Sequence, residues 1–206
     1  MARRASEKPR RNQPHQARSR ATVEVILDAT VRIFESEGAD AATTSRIAEV
    51  AGVSVGTLYQ YFGNRDAILD ALQDREFERA ASMMQRVLAN PSGASDRAIA
   101  RSVVEELFRL YQATPALHRV LAVEGLRVTP AERVQAFDAR IVGAVKAFLV
   151  HAKPRIRRSD VDAAAFVVYQ SVRAAMLAYL IEEPPGVSQA SLVDELTELI
   201  VRYLAE

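Results

Sequence analysis

The sequence has no cysteine, and we find in it no apolar run that approaches the length of a membrane-spanning helix. Without cysteine the chain can form neither disulfides nor thiolate metal sites. Its first twenty residues lack the apolar core of a signal peptide. We therefore expect a soluble, cytoplasmic protein with no membrane partner.

Recognisable catalytic motifs are also missing. The three histidines, His15, His118 and His151, are scattered along the chain. We find no nucleophile elbow, phosphate-binding loop or cluster with metal-ligand spacing. The sequence therefore predicts no enzyme, no metal site and no cofactor. An enzyme stays an alternative only if folding assembles a catalytic group that the linear motifs do not show.

The basic residues are distributed unevenly. Residues 1–20 hold seven Lys or Arg and one acid, so this segment carries a charge of +6 and the remainder −5. Residues 1–17 have almost no large apolar side chains, and we expect them to form a disordered basic arm. Such an arm predicts a polyanionic partner, with Arg10, Arg11 and Arg18 as DNA contacts. A solvated tail without a partner is the alternative.

Helical periodicity and helix boundary signals fill the rest of the chain. From Ser19 on, apolar residues recur at three- and four-residue steps, and no stretch alternates long enough to form a strand. The expected helix stops are Gly38, 90–93, Pro154 and 184–186. The expected starts are Ser95 or Asp96, Thr114 with Pro115, Thr129 with a capping-box Glu132, 159–162, and Ser188 or Ser191. The sequence therefore predicts an all-α fold of about nine helices.

Residues 43–62 are typical of two short helices around a tight turn. The small Ala48 permits a close helix crossing, and Gly52 supplies a left-handed turn residue. Ser54 caps the next helix, and the apolar Leu58 anchors it. This is the layout of a helix-turn-helix, whose second helix enters the major groove of DNA. An ordinary helical hairpin with surface aromatic residues is the alternative.

The outer side of the second helix carries short or planar groups rather than charges. Gln60 can read an adenine, and Val55 or Thr57 can contact a thymine methyl group. Tyr59 and Tyr61 can donate hydrogen bonds to phosphates. These residue types suit a surface that approaches DNA closely.

The segment 43–69 resembles the signature of the TetR family of bacterial repressors. The stretches 47–54 (Ile-Ala-Glu-Val-Ala-Gly-Val-Ser) and 56–62 (Gly-Thr-Leu-Tyr-Gln-Tyr-Phe) match each signature position. Two positions depart from the pattern: Arg65 replaces the usual lysine, and Gly63 stands where serine or threonine is common. Arg65 can still reach a phosphate.

The resemblance implies which residues contact DNA and how the protein works. The residues implied to face bases are Val55, Gly56, Thr57 and Gln60. The residues implied to lie at the DNA backbone are Thr44, Ser45, Tyr59, Tyr61 and Arg65, and we add the helix cap Ser54 to the expected DNA-binding set. Family members bind double-stranded DNA as homodimers, and many release it when a small molecule enters the C-terminal body.

The chain after residue 65 is expected to form a separate helical body. Helix eight is rich in alanine and helix nine has a leucine face, and the resemblance implies that both helices form a four-helix interface in a homodimer. A purely intramolecular core is the alternative. We therefore predict a basic arm (1–17), a helix-turn-helix domain (18–65), and a dimerisation and effector-binding domain (66–206).

Several side chains of the body are candidates for an effector pocket. Arg173 is the only charge between Asp162 and Glu182, and a charge on so apolar a helix needs a partner. That partner is either an anionic ligand or one of three carboxylates, Asp194, Glu195 or Glu198. The other candidates for the pocket are Phe108, Tyr111, His118, Phe137 and Tyr169. Ordinary core packing is the alternative for each of them.

These features favour a sequence-specific transcriptional regulator, a repressor that leaves a palindromic operator when an unknown small-molecule effector binds. The alternative within DNA-binding proteins is a ligand-independent architectural protein. Such a protein would bind DNA with little sequence preference and would not respond to metabolites.

Overall fold

The computed structural model describes residues 13–89, 95–151 and 156–205. Nine helices and one short 3-10 turn make up the regular structure of these residues, and no strand occurs among them. The predicted all-α fold is therefore confirmed. The chain divides into two compact units, Met1–Arg65 and Asp66–Glu206.

The first unit contains three helices, α1 (Gln13–Glu37), α2 (Thr44–Ala51) and α3 (Val55–Tyr61), with the 3-10 turn Ala39–Ala41 after α1. Gly38, at φ 88°, ends α1 as predicted. The core of this unit consists of side chains that helical periodicity predicts to face inward: Ile26, Leu27, Thr30, Phe34, Ile47, Ala48 and Leu58. Burial of this apolar surface is what fixes the short helices α2 and α3, which would be marginal alone.

Helix α1 begins at Gln13, earlier than the expected start at Ser19. The expectation of disorder up to residue 17 is therefore wrong for the backbone of 13–17. Pro14 does not prevent this early start, because proline is tolerated in the first turn of a helix, where its missing N–H has no helical partner. Residues 1–12, with Arg10 and Arg11, lie outside the described residues.

The second unit contains the remaining six helices. Helix α4 spans Arg65–Ala89, so its first residue is the last residue of the first unit. The other five are α5 (Asp96–Ala113), α6 (115–128), α7 (Ala131–His151), α8 (Val161–Glu182) and α9 (Gln189–Ala205). Helix α5 packs on α9, and α7 packs on α8. Helices α5, α8 and α9 share a buried, mostly aliphatic core: Ala100, Val104, Phe108, Val168, Val172, Met176, Val193, Leu196 and Ile200.

Most of the predicted helix caps are present. The side chains of Ser95 and Asp160 accept the hydrogen bonds that cap α5 and α8, and Ser188 Oγ accepts one from Ser191 N at 3.1 Å before α9. Two caps are wrong. Thr114 makes no capping bond, and Thr129 Oγ1 is buried without a partner among the described atoms. The backbone of Thr129 instead ends α6, because its N–H donates to Gly125 O at 2.9 Å.

Helix α6 changes its hydrogen-bonding pattern in the middle. The α-helical turn Pro115–Val120 is followed by a π-helical turn, Leu121–Gly125, and by Leu126–Val128. No sequence signal predicted this turn. Single π turns inside α-helices are frequent at functional sites, and here the turn lies in the wall of the cavity described below.

Helix α8 is long and apolar enough, by length and composition, to cross a membrane. The expectation that no segment reaches this length is therefore wrong. One such helix is weak evidence for a membrane span, because core helices of soluble proteins have the same composition. About a third of its most apolar window is buried in the fold, and Arg173 interrupts it.

Candidate nucleic-acid interface and ligand cavity

Two side-chain caps and one left-handed residue set the angle between α2 and α3. Thr43 Oγ1 accepts a hydrogen bond from Arg46 N at 3.2 Å, which caps α2. Gly52 follows α2 at φ 68° and ψ 29°, where a side chain would be strained. Ser54 Oγ then accepts from Thr57 N at 2.9 Å and caps α3. The predicted helix-turn-helix is therefore confirmed in its local geometry.

The outer face of α3 is exposed and uncharged. Leu58 is fully buried, whereas Tyr59 is 51% exposed, and Val55, Gly56 and Gln60 are also exposed. Short and planar side chains therefore form the surface that this helix presents to solvent. Such a surface can come close to base edges without the cost of desolvating a charge.

Tyr59 is connected to α2. Its hydroxyl lies 3.1 Å from Thr44 Oγ1, within hydrogen-bonding distance. Thr44 is the first residue of α2, so this contact joins the start of α2 to the recognition helix. Ser45, the next residue, is exposed, and Tyr61 is half-buried.

Two arginines of the first unit are engaged within that unit. Arg46 pairs with Glu37 at 2.8 Å and with Glu49 at 2.9 Å, and its hydrogen bonds hold the pKa of the Glu37 carboxyl below its usual range. Arg65 donates to Ala39 O at 3.4 Å and lies over the Phe34 ring. The phosphate contact predicted for Arg65 stays a prediction. Arg18, in contrast, is exposed on the first part of α1.

The second unit contains a cavity of about 140 Å³ whose walls come from all six of its helices, α4 to α9. Five of the six predicted ligand residues line it: Tyr111, His118, Phe137, Tyr169 and Arg173. Phe108 does not, and that prediction is wrong. Its ring is buried in the core, where it packs edge-on against Tyr179 with ring centroids 5.6 Å apart. Helical periodicity cannot distinguish Phe108 from Tyr111, because both residues lie on the inner side of α5.

Arg173 does not pair with the carboxylates predicted for it. Asp194 pairs with Arg101 at 2.5 Å, and Glu198 pairs with Arg97 and Arg202. Within the described part of the chain, Arg173 makes no ion pair, and its hydrogen bond is a long one, 3.5 Å to Gln170 Oε1. The prediction of an internal acidic partner is therefore wrong. Arg173 is half-buried in the cavity wall.

Two tyrosine hydroxyls lie in the electrostatic range of Arg173. Burial raises the pKa of Tyr111, so its hydroxyl stays protonated at neutral pH and can donate a hydrogen bond. Burial and Asp138 likewise raise the pKa of Tyr169, whose hydroxyl donates to Asp138 Oδ1 at 2.5 Å. The Tyr111 hydroxyl has no hydrogen-bond partner among the residues the structure describes.

Sequence reasoning missed a buried carboxylate beside His118. Glu76 and His118 are 5% and 6% exposed, and both line the cavity. His118 Nδ1 lies 2.9 Å from Thr114 O and must donate to it, because a carbonyl only accepts. His118 Nε2 then lies 3.6 Å from Glu76 Oε2, beyond hydrogen-bonding distance. The two residues are 42 positions apart, so no local motif connects them.

Comparison with known proteins agrees with both units. The family model for bacterial regulatory proteins of the tetR family matches residues 26–72. The model for the tetracyclin repressor-like C-terminal domain matches residues 97–204, about half of the chain. The chain belongs to the TetR family.

Similar curated TetR-family proteins are regulators. The transcriptional repressor KstR of Rhodococcus jostii is 35% identical over 92 residues, which are 45% of this chain and 42% of that protein. The regulator EthR of Mycolicibacterium smegmatis is 27% identical over 180 residues, 84% of this chain and 82% of EthR. The chain thus spans less than half the length of the KstR relatives that it matches, and most of the length of EthR.

Solved TetR-family structures share the fold across both units. A regulator from Mesorhizobium loti superposes with a TM-score of 0.69 at 17% identity, covering 91% of this chain and 97% of that one. FadR of Thermus thermophilus, solved in complex with lauroyl-CoA, gives a TM-score of 0.64 at 19% identity, covering 88% and 94%. At these identities the likeness concerns the fold alone.

Membership of the TetR family confirms the prediction of a DNA-binding transcriptional regulator rather than an enzyme. Regulators of this family are soluble cytoplasmic proteins.

The helices α8 and α9 of this TetR-family chain also present apolar side chains to solvent. Phe166 of α8 is 54% exposed, and Val167, Ile181 and Leu199 are exposed as well. On α8, Ala163, Phe166, Ala174 and Ile181 follow helical spacing and share one face, in which Gln170 is the polar member. An apolar stripe of this kind is typical of a surface that another protein covers.

Proposed function

We propose that the protein is a homodimeric transcriptional repressor that binds a palindromic operator and leaves it when a small molecule binds in the cavity. The observation that carries this proposal is the exposed, uncharged outer face of α3 in a capped helix-turn-helix. A recognition helix reads only a few base pairs, and dimers gain specificity by reading two half-sites.

The exposure of each side chain supports a division of roles on DNA. Gln60 and Val55, exposed on the outer face, would contact base edges, and Gly56 would let the backbone approach the duplex. Tyr59, Tyr61 and the start of α2 would hold phosphates, with Ser45 exposed and Thr44 in contact with the Tyr59 hydroxyl. Base contacts would set specificity, and phosphate contacts would set the position of the helix.

The apolar face of α8 and the exposed Leu199 of α9 support the homodimer. In the proposed four-helix arrangement, a second copy of α8 and α9 would cover the exposed Phe166 and Val167. Burial of such side chains stabilises the association by about 25 cal/mol per Å² of apolar surface removed from water. Coverage by a second copy would explain why a helix as apolar as α8 is partly exposed in the single chain.

The cavity of the second unit supports release by a ligand. Helix α4 contributes to the cavity wall and is covalently continuous with the first unit through Arg65. A ligand that displaces α4 would alter the DNA-binding unit attached to it. Release requires the ligand to bind the DNA-incompetent state more tightly, typically by about 1–3 kcal/mol. The related fold of FadR, solved with lauroyl-CoA, is consistent with a bound small molecule.

The basic arm would add phosphate or minor-groove contacts. Arg18 is exposed near the start of α1, and Arg10 and Arg11 precede it in the sequence. Arginine-rich arms favour narrow A·T-rich minor grooves, where the negative potential is enhanced. Removal of residues 2–12 should reduce the slope of log affinity against log salt by about 0.9 for each phosphate that the arm neutralises. If the truncated protein keeps the same DNA affinity and the same salt slope, the arm does not take part in DNA binding.

A fluorescence anisotropy titration tests the proposal. The full-length protein is titrated onto a labelled duplex recovered from genomic fragments that it retains, and onto a scrambled duplex of the same composition. We expect the recovered duplex to bind at least about a thousandfold more tightly, and a metabolite mixture to weaken that binding. Equal affinity for both duplexes, with no effect of any metabolite, would indicate an architectural protein instead.

A further inference from the structure

A second cavity lies next to the first in the helical body. Its volume is about 120 Å³, and its walls come from α4, α5, α7, α8, α9 and Ile156. The lining is apolar apart from Asp96, at the start of α5. Among the described residues, Asp96 is the one polar side chain in this lining.

The two cavities share a wall of five side chains. Met84, Val103, Val145, Val168 and Ile200 line both. None of them is polar, and methionine adapts its shape readily because it has three rotatable bonds. Of these five side chains Met84 is the flexible one, and an aliphatic chain that displaces it would pass from the first cavity into the second.

The charges at the polar end favour an anion. Glu76 Oε1 already pairs with Arg79 at 2.9 Å and lies 3.8 Å from Arg75, and Glu76 Oε2 lies 3.6 Å from His118 Nε2. Asp138 accepts the hydrogen bond of Tyr169. Arg173 is left as the cation that pairs with no carboxylate within the described ranges, and the hydroxyl of Tyr111, which lines the same cavity, can donate a hydrogen bond.

We propose that the effector is an unbranched aliphatic carboxylate, with its head on Arg173 and Tyr111 and its chain extending through the shared wall into the second cavity. The lining of the second cavity is apolar apart from Asp96, which suits the chain rather than the head and sets this orientation. The inference rests on the proposed function only in treating the cavity as the effector site. An apolar cavity of about 150 Å³ holds a benzene-sized group of about six carbons, so the two cavities together suit a chain of about ten.

The first experiment tests the head group. Calorimetric titration of the full-length protein, without DNA, compares decanoate, 1-decanol and decanoyl-coenzyme A. We expect decanoate to bind about tenfold or more tighter than decanol, since it adds a charge-assisted hydrogen bond. Arg173→Gln should remove this preference, whereas Arg109→Gln, an exposed arginine of α5 outside both cavities, should keep it.

The second experiment tests whether the chain passes into the second cavity. Affinity for straight-chain acids from six to ten carbons should rise by about fourfold per methylene, because each buries further apolar surface. Ala100 lines the second cavity but not the first, so Ala100→Leu should abolish the gain for the longer acids and leave hexanoate unchanged. Ala98→Leu, at an exposed position two residues earlier, is the matched control.

Several outcomes would overturn the inference. Decanol or the thioester binding as tightly as decanoate to the wild-type protein would exclude the carboxylate contact, and this comparison needs no variant to fold. Affinity that levels off at six carbons in the wild type would exclude passage of the chain into the second cavity. Decanoate that binds as expected but leaves operator affinity unchanged would contradict the proposed function and support the assigned ligand class.

Discussion

The hydroxyl of Tyr59, on the outer face of α3, lies 3.1 Å from the side-chain hydroxyl of Thr44, the first residue of α2. Tyr59 is half exposed, so few packing contacts hold its ring. The hydrogen bond therefore orients a side chain that we assign to a DNA phosphate. We therefore propose that Thr44 acts on DNA through the hydroxyl of Tyr59.

Tyr59→Phe should weaken operator binding by about 0.5–1.5 kcal/mol, the contribution of one hydrogen bond. Thr44→Val, which keeps the shape of the side chain, should weaken it less. The double variant should bind like Tyr59→Phe alone, because both changes act through one hydroxyl. Anisotropy titrations at fixed salt measure the operator affinity of the wild-type protein, the two single variants and the double variant. Additive losses in the double variant would show that Thr44 contacts DNA independently.

Two glycines of the helix-turn-helix should respond differently to alanine. Gly52 has a left-handed backbone (φ 68°), so Gly52→Ala should lower the free energy of unfolding by about 1–2 kcal/mol. Gly56 is in α3, where a Cβ would meet only Ser54 Oγ at 3.7 Å. Gly56→Ala should therefore keep the fold stable and weaken operator binding, by about 1–3 kcal/mol.

Gly63→Ala is the control for both changes, since a Cβ there meets nothing within 4 Å and the backbone is not left-handed. Urea unfolding and anisotropy separate stability from DNA affinity. If Gly56→Ala binds the operator as tightly as the wild-type protein, the backbone of α3 does not approach the duplex closely.

Gln60→Ala should relax base preference at one position in each half-site and cost about 1–3 kcal/mol on the preferred sequence. Tyr61→Phe should weaken binding to all sequences alike, because a phosphate contact carries no sequence information. Competition with a library of single-base variants of the operator measures both. The same loss of specificity in the two variants would refute this division of roles.

The amino-acid sequence was sufficient to predict the first unit because its structure is set by local interactions. The caps Thr43 and Ser54 accept hydrogen bonds from N–H groups three residues away, and Gly52 adopts the left-handed conformation that its lack of a side chain permits. The buried residues of α1 follow helical periodicity. Such signals lie within one or two turns and can be recognised before the fold is known.

The ligand cavity could be predicted only in part, because it depends on contacts between distant residues. Glu76 meets His118 across 42 positions, and the arginines of α5 and α9 pair with two of the carboxylates predicted for Arg173. Periodicity identified Phe108 and Tyr111 as inward-facing, but it could not tell core from cavity wall. The π-helical turn of α6 likewise has no local sequence signal.

Phe166→Glu should disrupt the proposed dimer. Phe166 is 54% exposed on the apolar face of α8, and an unpaired carboxylate buried there on association is costly. Sedimentation velocity at micromolar concentration should show a monomer, with reduced operator affinity. Val150→Glu, at an exposed apolar position of α7, should remain a dimer. A dimeric Phe166→Glu protein with unchanged affinity would place the interface elsewhere.

Sequencing the genomic DNA fragments that the purified full-length protein retains tests the central claim most directly. The account predicts one enriched motif with two inverted half-sites, whose centres lie about 34–36 Å apart or somewhat more. The motif should lose information at one position of each half-site when Gln60→Ala is used. Fragments without a shared motif, or a single asymmetric site bound by a monomer, would contradict recognition of a palindrome by two copies of α3.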